Sequence, residues 1–251
     1  MAPSPNIAAH RGGAYLWPEN SLTAFQAALR LPVEQLELDV HASADGEAVV
    51  MHDATLDRMT DASGPVASLS AAELAAVRVR GTAGGQVPML RDVAQLLAPA
   101  HQQLRLEVKA DTAGRPYPGL VARCAQVLDG AGLRPRTLLM SFQPLDVLQG
   151  AAAGGFAGCV LLLESRPWRG MGLAGAVALA RACQATEIGL PLAEVEAGVV
   201  VELHRQGLAL SAWGANRPAE ISRGLELGLD ALTSDDPVTA LRLRGEWLLR
   251  R

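Results

Sequence analysis

Short apolar runs alternate with amphipathic helical segments along most of this sequence. Apolar runs bounded by turn-forming residues are typical of buried strands, whereas apolar residues at a spacing of three or four indicate helices. The pattern predicts eight main strands, at residues 6–10, 35–40, 104–109, 137–141, 158–163, 187–190, 208–213 and 231–234. It predicts helices between them, at residues 20–31, 90–97, 119–129, 144–153, 174–185, 193–206, 218–227 and 238–249.

This alternation predicts an α/β fold, because strands separated by helices pair in parallel as βαβ units. Eight such units in 251 residues fit a closed (β/α)8 TIM barrel better than an open doubly wound sheet. No Gly-x-Gly-x-x-Gly turn, typical of dinucleotide-binding sheets, follows a predicted strand. We therefore predict a single barrel domain over residues 1–251.

One connection, at about residues 53–103, is too long for an ordinary βα loop. It lies between the second and third barrel strands and follows a short apolar run at residues 48–51. Ser70 and Glu73 within it form a capping-box pattern, which predicts the start of a short helix. We expect this segment to be a small insertion at the mouth of the barrel.

Charged residues occupy alternate positions in two predicted barrel strands. Glu37 and Asp39 share one face of the second strand, and Glu107 and Lys109 share one face of the third. Helices cover the outer face of a barrel, so these side chains are expected inside, near the carboxyl ends of the strands. Barrel enzymes place their catalytic groups at this end.

Three carboxylates that meet there would repel one another unless a cation lies between them. Oxygen ligands favour hard cations, so Glu37, Asp39 and Glu107 are expected to hold one divalent ion, Mg²⁺ or Ca²⁺, with Mn²⁺ as a third option. The alternative is a set of salt bridges from these carboxylates to basic residues, namely Arg11, Lys109 or Arg105.

Two histidines follow predicted strands and enter loops near this carboxylate cluster. His10 ends the first strand, and His52 follows the run at residues 48–51. An imidazole with a pKa near neutrality suits general acid and base work. His41 also ends a strand, so position alone does not single out a catalytic histidine.

Composition excludes several classes of function. Apolar residues make up 49% of the chain and charged residues 19%, which supports a large core rather than disorder. A net charge of −4 argues against bulk nucleic-acid binding. Three scattered cysteines, Cys124, Cys159 and Cys183, indicate neither a disulfide framework nor a zinc site. With no secretory signal and no long apolar stretch, a cytoplasmic protein without a stable membrane anchor is expected.

The ordered motifs resemble those of the glycerophosphodiester phosphodiesterase family across nearly the whole chain. Each motif by itself is weak, but the ordered set at these spacings is specific. The matching segments are His10-Arg11-Gly12, Pro18-Glu19-Asn20-Ser21, Glu37-Leu38-Asp39-Val40, His52-Asp53, Val87-Pro88-Met89-Leu90, Glu107-Val108-Lys109, Ser141-Phe142, Trp213 and Thr233-Ser234-Asp235-Asp236-Pro237.

The resemblance implies the same barrel, with a small insertion after the second barrel strand. It also implies one divalent metal ion held by Glu37, Asp39 and Glu107, with His10 and His52 as general acid and base. The implied reaction is hydrolysis of a glycerophosphodiester, such as glycerophosphocholine or glycerophosphoethanolamine, to sn-glycerol 3-phosphate and an alcohol.

The resemblance further implies that Arg11 and Lys109 bind the phosphate oxygens. Glu19 is expected to touch the substrate or to hold the loop after His10. Trp213 is expected to form an aromatic wall over the glycerol or to plug the barrel mouth. The family often has Trp-Thr-Val-Asn where this chain has Trp213-Gly214-Ala215-Asn216, which alters that wall.

Other classes of protein remain open at this point. One is a related lipid phosphodiesterase of the sphingomyelinase D-like type, and another is a sugar-phosphate isomerase on the same fold. A third is a non-catalytic barrel that binds phosphodiesters, although two histidines beside three carboxylates argue for catalysis. The expected partner is a small-molecule substrate, and the sequence does not indicate the oligomeric state.

Overall fold

A computed structural model describes residues 4–251, and nine β-strands in that part form one sheet. The strands are β1 (Asn6–Ala9), β2 (Gln35–Ala42), β3 (Ala48–Val50), β4 (Gln103–Val108), β5 (Thr137–Ser141), β6 (Gly158–Leu162), β7 (Glu187–Pro191), β8 (Ala209–Trp213) and β9 (Ala231–Ser234). The helices are α1 (Leu22–Ala28), α2 (Ala71–Leu74), α3 (Leu90–Leu97), α4 (Leu120–Gly130), α5 (Pro144–Ala153), α6 (Ser165–Ala182), α7 (Ala197–Arg205), α8 (Pro218–Glu226) and α9 (Pro237–Leu249).

The parallel strands close into a barrel because β1 pairs on both of its edges. Ala8 lies opposite Gln35 of β2 on one side and opposite Thr233 of β9 on the other. Within the described residues, the ring order is β1, β2, β4, β5, β6, β7, β8 and β9, all parallel. β3 stays outside the ring and pairs antiparallel with the end of β2. The predicted (β/α)8 TIM barrel is confirmed.

The main hydrophobic core lies between the barrel strands and the surrounding helices. Leu36, Leu38 and Val40 of β2 belong to the same buried cluster as Phe25 of α1 and Leu97 of α3. Because side chains alternate along a strand, Glu37 and Asp39 point into the barrel instead. The alternation therefore places charge inside the ring and hydrocarbon outside it.

Three predicted strands, β1, β4 and β6, end one residue earlier than expected, and site residues follow β1 and β4 directly. β1 ends at Ala9, and His10 begins a short 3-10 turn in which Arg11 has φ 51°. Gly12 then has φ 82°, and a Cβ there would lie 2.8 Å from Cβ of Ala24. β4 ends at Val108, so Lys109 lies just beyond the strand.

Two predicted helices were placed with wrong boundaries. The helix predicted at residues 174–185 starts at Ser165, and Gly172 with φ 62° interrupts it, which divides its apolar pattern. The helix predicted at residues 193–206 is a short 3-10 turn, Leu192–Glu194, followed by α7.

Between β2 and α3 the chain makes an excursion with its own small apolar cluster, which includes Val49, Leu56 and Leu74. The predicted capping box starts α2: Ser70 Oγ accepts from the Glu73 amide, and Glu73 accepts from the Ser70 amide. α3 joins the helices around the barrel through the main core.

No helix within residues 4–251 has the length and apolar character needed to cross a membrane. The prediction that the chain has no secretory signal concerns its N-terminal segment, and residues 1–3 of that segment lie outside the described residues.

Candidate metal centre and catalytic site

A cavity of about 230 Å³ opens at the carboxyl ends of the barrel strands. Most of the site residues predicted from the sequence line it: His10, Arg11, Glu37, His52, Glu107, Lys109 and Trp213. Asp39 and Glu19 do not line the cavity, but each contacts residues that do. The structure thus brings the predicted residues together at one end of the barrel.

The three predicted metal ligands lie side by side on neighbouring strands. Asp39 of β2 pairs in register with Glu107 of β4, and Glu37 precedes Asp39 on the same face. Each residue offers a carboxylate oxygen within 4.8 Å of the others, and all three residues are buried. Among the described residues, Glu37 Oε1 is buried and has no hydrogen-bond partner, whereas Asp39 Oδ1 and Glu107 Oε1 have the Lys109 ammonium beside them. Three buried carboxylates that share one ammonium group, with one oxygen left unpartnered, fit a hard divalent cation.

Basic side chains approach the same carboxylates, so the salt-bridge interpretation also holds in part. Lys109 Nζ lies 3.0 Å from Asp39 Oδ1 and 2.6 Å from Glu107 Oε1. Arg11 Nε lies 3.4 Å from Asp39 Oδ2, and the Arg11 amide donates to Glu37 Oε2 at 2.8 Å. These cations compensate part of the negative charge and remain at the edge of the cavity.

Without a bound cation the three carboxyl groups do not share one protonation state. Burial and the nearby Asp39 raise the pKa of Glu37 to about 7. Burial, opposed by Lys109 and reinforced by the other carboxylates, raises the pKa of Glu107 to about 7. Burial also disfavours ionised Asp39, but Lys109 and Arg11 outweigh it and hold the pKa of Asp39 well below its usual range. A divalent cation would replace the protons on the two glutamates.

His10 is fixed by an acidic residue from the last barrel strand's loop. Its Nδ1 donates to Asp235 Oδ1 at 2.6 Å, and the Asn216 side-chain Nδ2 donates to Asp235 Oδ2 at 2.6 Å. Nε2 of His10 is left facing Glu37 Oε2 at 3.8 Å. Burial lowers the pKa of His10, but Glu37 and Asp235 outweigh burial and raise it.

His52 has a similar partner in the next residue of the chain. Its Nδ1 donates to Asp53 Oδ1 at 2.7 Å, and Arg58 Nε donates to Asp53 Oδ2 at 2.6 Å. Burial lowers the pKa of His52, and the attraction of Asp39 opposes this only in part. Both histidines therefore have an Nδ1 held by a carboxylate, an arrangement that fixes the ring and leaves Nε2 for proton transfer.

His41 is held by hydrogen bonds within the protein and does not line the cavity. It is buried; its Nε2 lies 3.0 Å from the carbonyl oxygen of His52, and its Nδ1 lies 3.0 Å from the Tyr117 hydroxyl. His41 thereby fixes the backbone that carries His52.

Glu19 links the loop after β1 to the excursion. Its Oε1 accepts from Arg11 Nη1 at 3.1 Å and from Arg58 Nη2 at 2.6 Å. Its Oε2 accepts from Arg58 Nη1 at 3.0 Å. Glu19 thus holds Arg11 on one side and Arg58 on the other, which agrees with the loop-holding alternative.

Asn20 fixes Asp39, a contact that the sequence did not reveal. Its side-chain nitrogen donates to Asp39 Oδ2 at 2.8 Å, and its side-chain oxygen accepts from the Asp39 amide at 3.3 Å. Asn20 adopts φ 53°, and the cap of α1 is the next residue, Ser21, whose Oγ accepts from the Ala24 amide. Ser21 is therefore the N-cap of α1, and the Asn20 side chain is free to hold Asp39.

The opposite wall of the cavity is aromatic. Phe142 after β5 and Trp213 at the end of β8 meet edge to face, with ring centroids 5.6 Å apart. Gly189 of β7 makes room for them, since a Cβ there would lie 2.5 Å from Leu162 and 3.4 Å from the Trp213 ring. Glu164, beyond the end of β6, also lines this wall.

Deeper in the barrel, Arg105 takes partners other than the metal-site carboxylates. Arg105 donates to Glu187 and, at 3.0 Å, to Ser211 Oγ. It also donates to Gln35 Oε1 at 3.1 Å. The expected alternative of a bridge from Arg105 to Glu37, Asp39 or Glu107 does not form. Arg105 lies beneath the site as part of the barrel's polar interior.

Sequence reasoning did not assign roles to Asp235, Asn216, Asp53 or Arg58. Asp235 and Asp53 were present in the matched motifs as Thr233–Pro237 and His52–Asp53, so those motifs carried the signal. Arg58 has no comparable signal, because it reaches its partners only through the fold of the excursion.

Comparison with known proteins gives a consistent result. A profile of the glycerophosphoryl diester phosphodiesterase family matches residues 10–239. The glycerophosphodiester phosphodiesterase of Caldanaerobacter subterraneus subsp. tengcongensis is 26% identical over 245 residues, which cover 94% of this chain and 96% of that protein. A glycerophosphodiester phosphodiesterase of Bacillus altitudinis is 26% identical over 250 residues, covering 96% and 98%.

Solved structures resemble the whole barrel. An Agrobacterium tumefaciens protein described under the same family name gives a TM-score of 0.94 at 29% identity, covering 98% of this chain and 100% of that one. An Oleispira antarctica phosphodiesterase, solved in complex with the product sn-glycerol-3-phosphate, gives a TM-score of 0.82 at 23% identity and covers 96% of both chains. At that identity the second likeness concerns the fold.

Proposed function

The chain belongs to the glycerophosphoryl diester phosphodiesterase family, and on that basis we propose that it is a metal-dependent enzyme that hydrolyses glycerophosphodiesters. The proposed substrates include glycerophosphocholine and glycerophosphoethanolamine, and the products are sn-glycerol 3-phosphate and an alcohol. One observation carries this proposal: three buried carboxylates cluster within 4.8 Å beside two histidines whose Nδ1 atoms are held by carboxylates.

We assign one divalent cation, Mg²⁺ or Ca²⁺ with Mn²⁺ as a third option, to Glu37, Asp39 and Glu107. When bound, such a cation supplies positive charge against the negative charge that develops on the phosphate oxygens. The Asn20 side chain would orient Asp39, because it donates to the Asp39 carboxylate and accepts from the Asp39 backbone amide. The loop amide of Arg11 would orient Glu37 in the same way.

His10 and His52 would move the protons. One imidazole accepts the proton of the attacking oxygen, and the other donates a proton to the departing alkoxide. Asp235 holds the ring of His10 and Asp53 holds the ring of His52, so both Nε2 atoms are oriented before the substrate binds. This preorganisation lowers the cost of reaching the transition state.

Arg11 and Lys109 would bind the non-bridging phosphate oxygens, since both line the cavity beside the carboxylates. Glu19 would act on the substrate through Arg11, whose guanidinium it holds. Trp213 would pack against carbon atoms of the substrate on the opposite wall.

The test is release of sn-glycerol 3-phosphate from glycerophosphocholine by the purified protein, first with EDTA and then with Mg²⁺, Ca²⁺ or Mn²⁺ restored. We expect release only after a cation is added. No release with any of the three cations from either substrate would contradict the proposal and favour a phosphodiester-binding barrel. Phosphorus NMR of the product would separate hydrolysis from a sphingomyelinase D-like lyase, which leaves a cyclic phosphate.

The sequence-based expectations of a cytoplasmic location, of one barrel domain over residues 1–251 and of no nucleic-acid partner stay predictions. The product-bound Oleispira antarctica phosphodiesterase supports a small-molecule ligand in this fold.

A further inference from the structure

The wall opposite the metal centre contains a carboxylate that the proposed reaction does not use. Glu164 lies two residues beyond β6, is exposed and lines the cavity. It occupies the N-cap position of α6, yet its side chain makes no capping hydrogen bond. The third residue of that helix is Pro167, which has no N–H to offer a cap. The carboxylate is therefore directed to some role other than helix capping.

The strand order places Glu164 across the ring from His10 and Arg11, and two strands from Lys109. In the ring β1, β2, β4, β5, β6, β7, β8, β9, strand β6 is four strands from β1 in either direction. His10 and Arg11 follow β1, and Lys109 follows β4. Among the described residues that line the cavity, Glu164 is the acidic one outside the metal cluster. The cavity that contains Arg11 and Lys109 thus also offers this wall to one of the two alcohol groups of a bound diester.

The aromatic pair gives the wall a second property. Phe142 and Trp213 both line the cavity and meet edge to face at 5.6 Å and 85°. They follow β5 and end β8, on either side of β6 in the ring. Aromatic rings attract quaternary ammonium groups through their electron-rich faces, and a nearby carboxylate adds a full negative charge. A neutral polyol would gain from the carboxylate hydrogen bonds but nothing from the ring charge.

We propose that Glu164, Phe142 and Trp213 form a subsite for a cationic alcohol headgroup, so that the enzyme prefers choline and ethanolamine esters over neutral ones. The inference rests on the proposed function, since it concerns the leaving group of that reaction. The ammonium group lies between the Glu164 carboxylate and the aromatic pair, and the glycerol lies on the metal side of the phosphate. Specificity then comes from charge on the headgroup rather than from its shape.

The test compares glycerophosphocholine with the glycerophosphodiester of 3,3-dimethylbutan-1-ol, in which carbon replaces the charged nitrogen and the shape is kept. We expect kcat/KM to favour the choline ester by about tenfold, the size of an aromatic–ammonium contact. The ratio of kcat/KM for the choline ester to kcat/KM for the dimethylbutyl ester should fall to within about threefold of unity in Glu164→Gln. In Glu164→Lys this ratio should fall below unity. Glu196→Gln is the matched control, because Glu196 is also an exposed, non-capping N-cap outside the cavity lining, and its ratio should stay as in the parent.

Equal kcat/KM for the two esters in the parent enzyme would overturn the subsite while leaving the proposed function intact. An unchanged ratio in Glu164→Gln would do the same, and an equal loss on both esters would instead place the glycerol against Glu164. Hydrolysis of neither ester with any cation would contradict the proposed function itself. Melting temperatures of the two Glu164 variants within a few degrees of the parent would show that any change in ratio is not a folding defect.

Discussion

Buried charge is the feature that organises the site residue by residue. Glu37, Asp39 and Glu107 are almost fully buried, and burying an ionised carboxylate is costly unless it is paired or bound to a metal. Lys109 and Arg11 pair with part of this charge, and Glu37 Oε1 remains without a hydrogen bond. The residues are therefore arranged for an additional cation at the expense of the stability of the metal-free protein.

Replacing Glu37 with Gln should weaken binding of the divalent cation by at least about tenfold, since an amide is a poorer and neutral ligand. Isothermal titration of the metal-free protein with Mg²⁺, Ca²⁺ or Mn²⁺ measures this directly. Glu226→Gln, a change at an exposed glutamate of α8, is the control and should bind as the parent does. Equal affinities in Glu37→Gln and the parent would remove Glu37 from the ligand set.

Replacing His10 or His52 with Ala should lower kcat by roughly 10²–10⁴-fold, because each removes one proton carrier. Release of sn-glycerol 3-phosphate gives the rate, and circular dichroism checks that the fold is kept. His101→Ala changes an exposed histidine away from the cavity and should leave kcat unchanged. Full activity in either site variant would exclude that histidine from proton transfer.

At the level of elements, the positions of charged residues along single strands could be predicted, and the contacts between loops could not. Alternation in β2 was enough to place Glu37 and Asp39 inside the barrel, because helices must cover the other face. The contact of Asp235 with His10 joins residues 225 positions apart, and no local pattern encodes such a distance. The start of α6 was missed because Gly172 interrupts the helical pattern.

The excursion connects two elements of the site through Arg58. This side chain holds Asp53, the partner of His52, and Glu19, the partner of Arg11. Its four hydrogen bonds, at 2.6–3.0 Å, join the loop after β1 to the loop after β3. Arg58 is therefore a positioning residue rather than a group that touches substrate.

Arg58→Ala should lower kcat/KM by about tenfold through loss of this positioning, since misplaced catalytic groups are costly. Arg58→Lys should restore activity only in part, because an ammonium group cannot make the paired contacts of a guanidinium. Steady-state kinetics on glycerophosphocholine provide the measurement. Arg115→Ala, which removes an exposed pair with Asp111, serves as control; activity equal to the parent in Arg58→Ala would refute the role.

The molecule as a whole is divided into two functional halves by the order of its strands. The groups assigned to the metal, the phosphate and proton transfer lie on or after β1, β2, β3 and β4. The aromatic pair and Glu164 lie on or after β5, β6 and β8. In the proposed assignment the barrel would hold the two halves at a fixed distance, so that the enzyme would recognise a diester at both of its ends.

Stability of the metal-free protein should depend on pH through the two glutamates. The pKa values of Glu37 and Glu107 are raised to about 7, so the folded state holds more protons than the unfolded chain between their usual pKa and 7. The contribution of these two glutamates to the free energy of unfolding therefore falls as pH rises through that window. A bound cation replaces the protons, so metal should stabilise more at pH 8 than at pH 6.

Melting temperatures with EDTA and with excess cation, at pH 5, 6, 7 and 8, test this expectation. The melting temperature with excess cation minus that with EDTA should increase as pH rises. A difference that is constant, or that narrows as pH rises, would contradict the assignment of both glutamates as ligands.

The pairing of β1 with β9, which closes the barrel, has a consequence for when activity first appears. Among the described strands β1 comes first in the chain, with His10 directly after it, whereas Asp235 directly follows β9, the last of them. Until β9 has been synthesised and has closed the ring, the imidazole lacks the carboxylate that orients it. A chain still being synthesised would therefore carry both histidines and the carboxylate cluster before the contact of His10 with Asp235 can form, and the proposed hydrolysis would begin only with the completed barrel.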